Sequence, residues 1–151
     1  LKINTELNER LGTKIFSFPM KYIPINNKDR KHVGKHWNPR YLRGIQCILN
    51  ATHGVVSPKK EFFEAAFGKN YSDFTKLLLM PDQYIIYRED HKKNGAKNWN
   101  KLFNSLSKEQ SLEFLNAIHN NEYEYHSKHR RINSLISHYK KYRKEYIIDD
   151  L

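Results

Sequence analysis

Between Lys14 and Ile25 the chain reads Lys-Ile-Phe-Ser-Phe-Pro-Met-Lys-Tyr-Ile-Pro-Ile, and no other stretch reads as well as a β-strand. Phe16, Phe18, Met20 and Tyr22 place apolar groups on one face of an extended chain, and Ile15, Pro19 and Ile23 place them on the other. Such a double pattern belongs to strands covered on both sides by helices, as in parallel sheets. A lone strand leaves its own backbone donors and acceptors unmet. The pattern therefore predicts partner strands outside this sequence or in a second copy of it, within a larger α/β protein. A start at Leu1 rather than Met, with a helical pattern already under way, adds to the expectation of a trimmed piece.

The residues flanking this segment read as helix. Ile3, Leu7 and Leu11 recur at i, i+4 and i+8, and Gly12 supplies the stop. Helix, short turn and doubly apolar strand together make half of a βαβ unit. Pro19 and Pro24 bracket the far end of the strand, where pairing lapses for want of an N–H. Residues 26–35 form a polar loop.

Beyond it the punctuation is that of successive helices. Asn38-Pro39 is an N-cap followed by proline at the first helical position, with Tyr41, Leu42, Ile45, Ile48 and Leu49 on one face and Gly54 at the end. Ser57-Pro58 opens a helix carrying Phe62, Phe63 and Phe67, and Ser72 caps a short one bearing Phe74, Leu77 and Leu78 before Pro81. Asp82 opens a segment with Tyr84, Ile85 and Tyr87, and residues 96–106 put Trp99, Leu102, Phe103 and Leu106 on one side. Ser107 and Gln110 form a capping box ahead of Leu112, Leu115 and Ile118. A final helix from about Tyr125 aligns Ile132, Leu135, Ile136, Tyr139, Tyr142 and Tyr146.

Charge and cysteine content narrow the function classes. With 27 Lys and Arg against 16 Asp and Glu the formal charge is +11, which attracts polyanions or simply reflects a Lys- and Asn-rich proteome. The single cysteine, Cys47, excludes an internal disulfide, fits a reducing cytoplasm, and sits in a helical pattern where a small buried hydrophobe is expected. No apolar run approaches the roughly 18 residues of a membrane span, and the residues after Leu1 carry no signal-peptide pattern. His32-x3-His36 and His126-x2-His129 have chelating spacings, but without cysteine or carboxylate companions no metal site is expected. No glycine-rich phosphate loop or nucleophile elbow occurs.

Two sets of residues remain as candidates. In barrels of parallel strands the active-site mouth is built from the C-terminal ends of strands and the loops after them, which singles out Met20, Lys21, Tyr22 and Pro24 as cofactor or substrate contacts. Lys21 either reaches a carboxylate or phosphate or snorkels to solvent. The basic, tyrosine-interleaved tail offers Arg130, Arg131, Lys140, Lys141, Arg143 and Lys144 to nucleic-acid phosphates, against the alternative that Ile132, Leu135, Ile136 and Tyr139 dock the helix and leave the lysines solvated.

The stretch from Leu1 to Ile25, with Phe18-Pro-Met-Lys-Tyr-Ile-Pro at its core and His36-Trp37-Asn38 after it, resembles the late portion of radical S-adenosylmethionine enzymes. In that family a helix and a strand ending in Phe-Pro-Met-basic-Tyr/Phe-x-Pro complete the barrel. The similarity continues through Gly44-Ile45-Gln46, Gly54-Val55-Val56, Phe62-Phe63, Ala66-Phe67-Gly68 and Met80-Pro81, about the first two thirds of the chain. It implies a parent that holds a four-iron, four-sulfur cluster and S-adenosylmethionine and generates a 5′-deoxyadenosyl radical. The family's Cys-x3-Cys-x2-Cys motif is missing here, so the resemblance implies a piece that is inactive alone and binds neither group itself.

The expectation is thus a mainly α chain with one or few strands, the helical C-terminal part of a truncated α/β, TIM-type partial barrel. Residues 1–35 would be the helix-strand-loop remnant of the barrel, and residues 36–151 a helical cap ending in a basic helix. The partners would be the rest of the parent chain, with nucleic acid and self-association as alternatives and no membrane. The rival from a different class is a small basic helical module that binds nucleic acid.

Overall fold

A computed structural model describes residues 1–26, 32–54, 56, 59–86, 93–121 and 123–140. Among them are seven α-helices and one 3-10 turn: α1 (Lys2–Leu11), α2 (Pro39–Ala51), α3 (Lys60–Phe67), α4 (Tyr71–Leu79), the turn Asp82–Tyr84, α5 (Asn94–Asn104), α6 (Lys108–Ile118) and α7 (Arg130–Lys140). The chain is mainly helical, and none of these helices is long and apolar enough to cross a membrane. The helices fall into two units, Leu1–Leu79 and Met80–Leu151.

In the first unit local capping signals set the helix ends. The Asn38 carboxamide oxygen accepts from the Tyr41 N–H at 2.9 Å, Pro39 takes the first helical position, and Gly54, at φ 77°, returns its N–H to the Leu49 carbonyl. The buried stripe of α2 is Arg40, Gly44, Cys47 and Ile48, which turns the expected face by about one position. The cause is Gly44. A Cβ there would lie 2.6 Å from the Leu78 carbonyl oxygen and 2.8 Å from Leu78 Cα, so the bare glycine lets α2 pack directly on the backbone of α4. Arg40, at 2 % exposure, then donates from Nε to that same carbonyl at 3.3 Å and satisfies an end group of α4 that has no helical partner.

The cap of α4 differs from expectation. Asn70, not Ser72, accepts the Asp73 N–H at 3.0 Å, while its amide reaches back to Asp73 Oδ2 at 3.2 Å. Both residues are cap formers, and the reciprocal pair with Asp73 decides between them. Gly68, at φ 75° with Asp73 and Phe74 pressed against its Cα, makes the tight turn from α3 into α4. Phe63, Phe67 and Phe74 pack ring to ring across that turn. Ser57 and Pro58, expected to open α3, lie outside the described residues.

The second unit is organised by a continuous series of aromatic rings. Trp99 stacks on Phe103 at 5.0 Å, Phe103 meets Phe114 edge-on, and Phe114 leads to Tyr139, which stacks on Tyr123 at 5.0 Å. The series ties α5, α6 and α7 together. The Ser107 capping box is present, with Gln110 N to Ser107 Oγ and Ser107 N to Gln110 Oε1 both at 3.2 Å. In α6, however, Phe114 and Ile118 are buried and Leu112 is exposed, because the i, i+4 pair carrying the larger ring takes the interior. α7 begins at Arg130 rather than near Tyr125, since residues 123–129 run as a connector. Ile132, Leu135, Ile136 and Tyr139 are buried, so the described part of this helix is docked in its unit.

Candidate functional site

The segment expected to be a strand is neither a helix nor part of a sheet. Among the described residues it forms a single antiparallel bridge, Ser17 to Val56, through the Val56 N–H and the Ser17 carbonyl at 3.0 Å. What holds it is side-chain chemistry from α1. Asn8 grips Ile15 at both backbone groups: its Nδ2 donates to the Ile15 carbonyl at 2.9 Å and its Oδ1 accepts the Ile15 N–H at 2.7 Å. Thr13 adds a third bond to Asn8 Oδ1, and Asn4 Nδ2 reaches Ser17 Oγ at 3.0 Å.

The spacing explains the match. Four residues along a helix advance about 6 Å and two along an extended chain about 6.6–6.8 Å, so Asn4 and Asn8 meet Ser17 and Ile15 in antiparallel order. Gly12, at φ 64°, closes the turn between them. The same packing overturns the expected interior face of α1. Thr5 and Asn8 are buried, whereas Ile3 and Leu11 stand in solvent because the polar stripe is the one that receives the returning chain.

This arrangement leaves the apolar side chains of the segment uncovered. Phe16 and Phe18 are exposed, Met20 is 90 % exposed, Tyr22 is 72 % exposed and Ile25 is fully so. Of the four strand-end candidates, Met20, Lys21 and Tyr22 lie on the surface and Pro24 is half-buried. Tyr22 meets the His32 ring edge-on at 6.3 Å. Among the described residues no group of three His, Cys, Asp or Glu side chains is placed to hold a metal ion.

Of the basic candidates, Arg130 and Arg131 are exposed at the first turn of α7, and Arg131 Nη1 donates to the Ser105 carbonyl at 3.3 Å. Lys140 ends the helix. Lys141, Arg143 and Lys144 lie outside the described residues.

Sequence reasoning missed a polar cluster beside Arg130. Glu113 Oε1 accepts from Ser127 Oγ at 2.5 Å and from the Tyr125 hydroxyl at 2.8 Å, and Glu113 Oε2 lies 3.8 Å from His129 Nε2. Ser127 also exchanges two backbone bonds with the Asn133 carboxamide, both 2.8 Å, and accepts the His129 N–H at 2.9 Å. The His129 ring faces Glu113 and, at 3.4 Å, Gln110 rather than the Ser127 hydroxyl, so this is no serine nucleophile with an imidazole base. It is a latch that fixes the connector to α6. Only the Glu and His partners, 16 residues apart across a loop, signalled it in the sequence, and nothing local required them to meet.

The Ser127 and Tyr125 hydrogen bonds, with smaller help from His129 and Lys128, hold the Glu113 carboxyl below its ordinary range, while the bond to Glu113 pushes the Tyr125 phenol above its own. A depressed carboxylate contributes stability above its unfolded pKa and loses it as pH falls through the folded value. A raised phenol contributes below its ordinary pKa and loses that contribution as pH rises through the folded one. The latch should therefore weaken in acid and again in strong base. Glu113→Gln is expected to abolish the acid limb of amide protection in residues 123–129, as followed by hydrogen exchange against pH.

A second expectation concerns the clamp on Ile15. Asn8→Ala should free both backbone groups of Ile15 and lower the local stability of the turn by about 1–3 kcal/mol. Faster exchange of the Ile15 amide would report it. Asn8→Asp, which keeps the acceptor and loses the donor, should retain part of that protection.

No protein-family model, curated protein sequence or solved structure matches the chain.

Proposed function

We propose that this chain is the wall-closing and capping part of a radical S-adenosylmethionine-like enzyme, inactive by itself. Helix α1 and segment 14–25 would line the barrel, and the helices after His36 would shield its mouth. The observation that carries the reading is the exposed run Phe16, Phe18, Met20 and Tyr22, together with Ile3 and Leu11 on α1. Large apolar side chains left exposed this close together along the chain mark an interaction site. Shielding has a chemical purpose there, since excluding water and stray hydrogen donors protects a reactive intermediate.

The residues present do not fit the iron–sulfur cluster. Cys47 is the only cysteine and is buried in α2. Cluster ligation needs several thiolates, so this chain's part is to position and cover. Met20, Lys21, Tyr22 and Pro24 are the residues proposed to face cofactor or substrate.

The test is anaerobic reconstitution of the full-length gene product with iron and sulfide. The reading expects thiolate-to-iron absorbance and release of 5′-deoxyadenosine from S-adenosylmethionine under reducing conditions. A colourless product that retains no iron would end it.

A second reading, nucleic-acid binding in the cytoplasm, draws on exposed Lys128, Arg130 and Arg131 around the start of α7. It expects affinity for duplex or single strands to fall with salt by about 0.7–0.9 log–log units per phosphate neutralised. Arg130→Ala should reduce that slope. No binding at low salt would remove this reading.

A further inference from the structure

We propose that Asn94 and Gly95, at the start of α5, are a site of spontaneous covalent modification, at which the asparagine loses ammonia and becomes aspartate or isoaspartate. The site is independent of the proposed function and needs no reactant beyond water.

The chemistry is an attack of the chain on itself. The Gly95 backbone nitrogen gives its proton to solvent and adds to Asn94 Cγ, the carboxamide nitrogen takes up a proton and leaves as ammonia, and a succinimide joins side chain to main chain. Water then opens the ring. Cleavage at the side-chain carbonyl gives aspartate, and cleavage at the main-chain carbonyl gives isoaspartate, whose backbone runs through the former side chain and is one carbon longer.

Asn94 is the only asparagine of the chain that glycine follows. Glycine leaves the attacking nitrogen without a Cβ beside it and lets the backbone turn freely. The fold holds that glycine in place. A Cβ at Gly95 would lie 2.6 Å from the Tyr84 hydroxyl and 3.0 Å from the ring carbon that bears it. Tyr84 is buried, and its hydroxyl shares a 2.7 Å hydrogen bond with His138 Nδ1, so it has no room to swing aside. Packing therefore demands the one residue type that makes Asn94 most reactive.

Both reacting groups are free. Asn94 is exposed and its carboxamide makes no hydrogen bond among the described residues, whereas those of Asn8, Asn38, Asn70 and Asn133 all hold backbone groups. Gly95 is the second residue of α5, so the acceptor its N–H would use lies before the helix, and it has none among the described residues. Lys93 at the N-cap adds no side-chain bond. Rotation about the Asn94 Cα–C bond carries Cγ over the nitrogen and leaves the turns after it undisturbed.

The local field favours each step. The N-terminus of a helix is its positive end, the first turn of α5 has no acidic residue, and Lys97 is exposed three positions on. These charges stabilise the anionic nitrogen and then the product carboxylate. Aspartate thus supplies the acid that this helix end lacks, while isoaspartate lengthens the entry to α5.

Peptide mapping of the chain aged in mildly alkaline buffer tests the proposal. The fragment spanning residues 94–95 is expected to lose its asparaginyl form, with Asn94→Asp as the standard for one product and isoaspartate-specific methylation reporting the other. Conversion in the folded chain should run within about tenfold of that in urea, because a helix end that opens at a free energy near zero imposes no larger factor. Asn104, followed by Ser105 in the same helix, and Asn133, bound to Ser127, should lag behind it. Asn94→Gln, which would have to close a larger ring, should remove the methylatable product and leave the circular dichroism unchanged. Conversion in urea with Asn94 intact in the folded chain overturns the proposal, since the helix end would then hold carbon and nitrogen apart. Isoaspartate that persists undiminished in Asn94→Gln also overturns it, by placing the reaction elsewhere.

Discussion

Trp99→Ala is expected to be the most damaging single substitution in the second unit, costing about 3–5 kcal/mol. Trp99 has no exposed surface and begins the ring series that runs through Phe103 and Phe114 to Tyr139 and Tyr123. Removing it opens a cavity at the stacked end and strips Phe103 of its partner. Denaturant unfolding followed by exchange of α5 and α7 amides would measure the loss. Trp99→Phe gives the informative contrast. The indole Nε1 is buried without a hydrogen-bond partner among the described residues, so phenylalanine sacrifices no polar contact there and relieves an unmet donor, leaving only the smaller ring as a cost. Trp99→Phe is expected to fall well short of the alanine variant. Equal losses would mean that the indole N–H has a partner after all.

Gly44→Val should be the corresponding substitution in the first unit. Even a methyl at Gly44 would press on the Leu78 carbonyl oxygen and Cα, which are helix backbone and have no rotamer to change. A branched side chain forces α2 and α4 apart, also disturbing the Arg40 Nε bond to the Leu78 carbonyl. Overpacking of this kind costs typically about 1–3 kcal/mol and more where backbone must move. A fall in thermal midpoint larger than that of Gly12→Ala would support the argument, because a Cβ at Gly12 meets nothing within 4 Å and incurs only the strain of φ 64°. A Gly44→Val variant as stable as the parent would show that the two helices cross less closely than described.

The helix ends were legible because their signals are local. Asn38-Pro39 and the Ser107 and Gln110 box satisfy end groups within a few residues, and Gly12 takes the left-handed conformation that ends α1, so no distant element has to be known. Asn70 was the exception, with Ser72 as an equally suitable cap two residues away. Faces were less legible. Ile3, Leu7 and Leu11 have a helical period, yet the period does not say that Asn8 will be buried against Ile15. Leu112 likewise belongs to an apolar pattern on α6 but lost the interior to Phe114. In the candidate site, the run from Phe16 to Tyr22 was evident in sequence, whereas the asparagine clamp on Ile15 and the latch around Glu113 depend on partners 7 to 16 residues away.

The sequence alone therefore determined a chain of short helices, several of them capped by local signals, around a doubly apolar segment, with one small buried thiol and a large positive charge. Capping, proline placement and composition act over a few residues or over none, so they can be read directly from order. Only the tertiary structure decided that the segment is held by Asn4, Asn8 and Val56 instead of by strands, and that its phenylalanines and methionine face solvent. Burial is settled by competition among surfaces that are distant along the chain, and the buried carboxamide of Asn8 prevailed on α1 because it could meet both backbone groups of Ile15 at once.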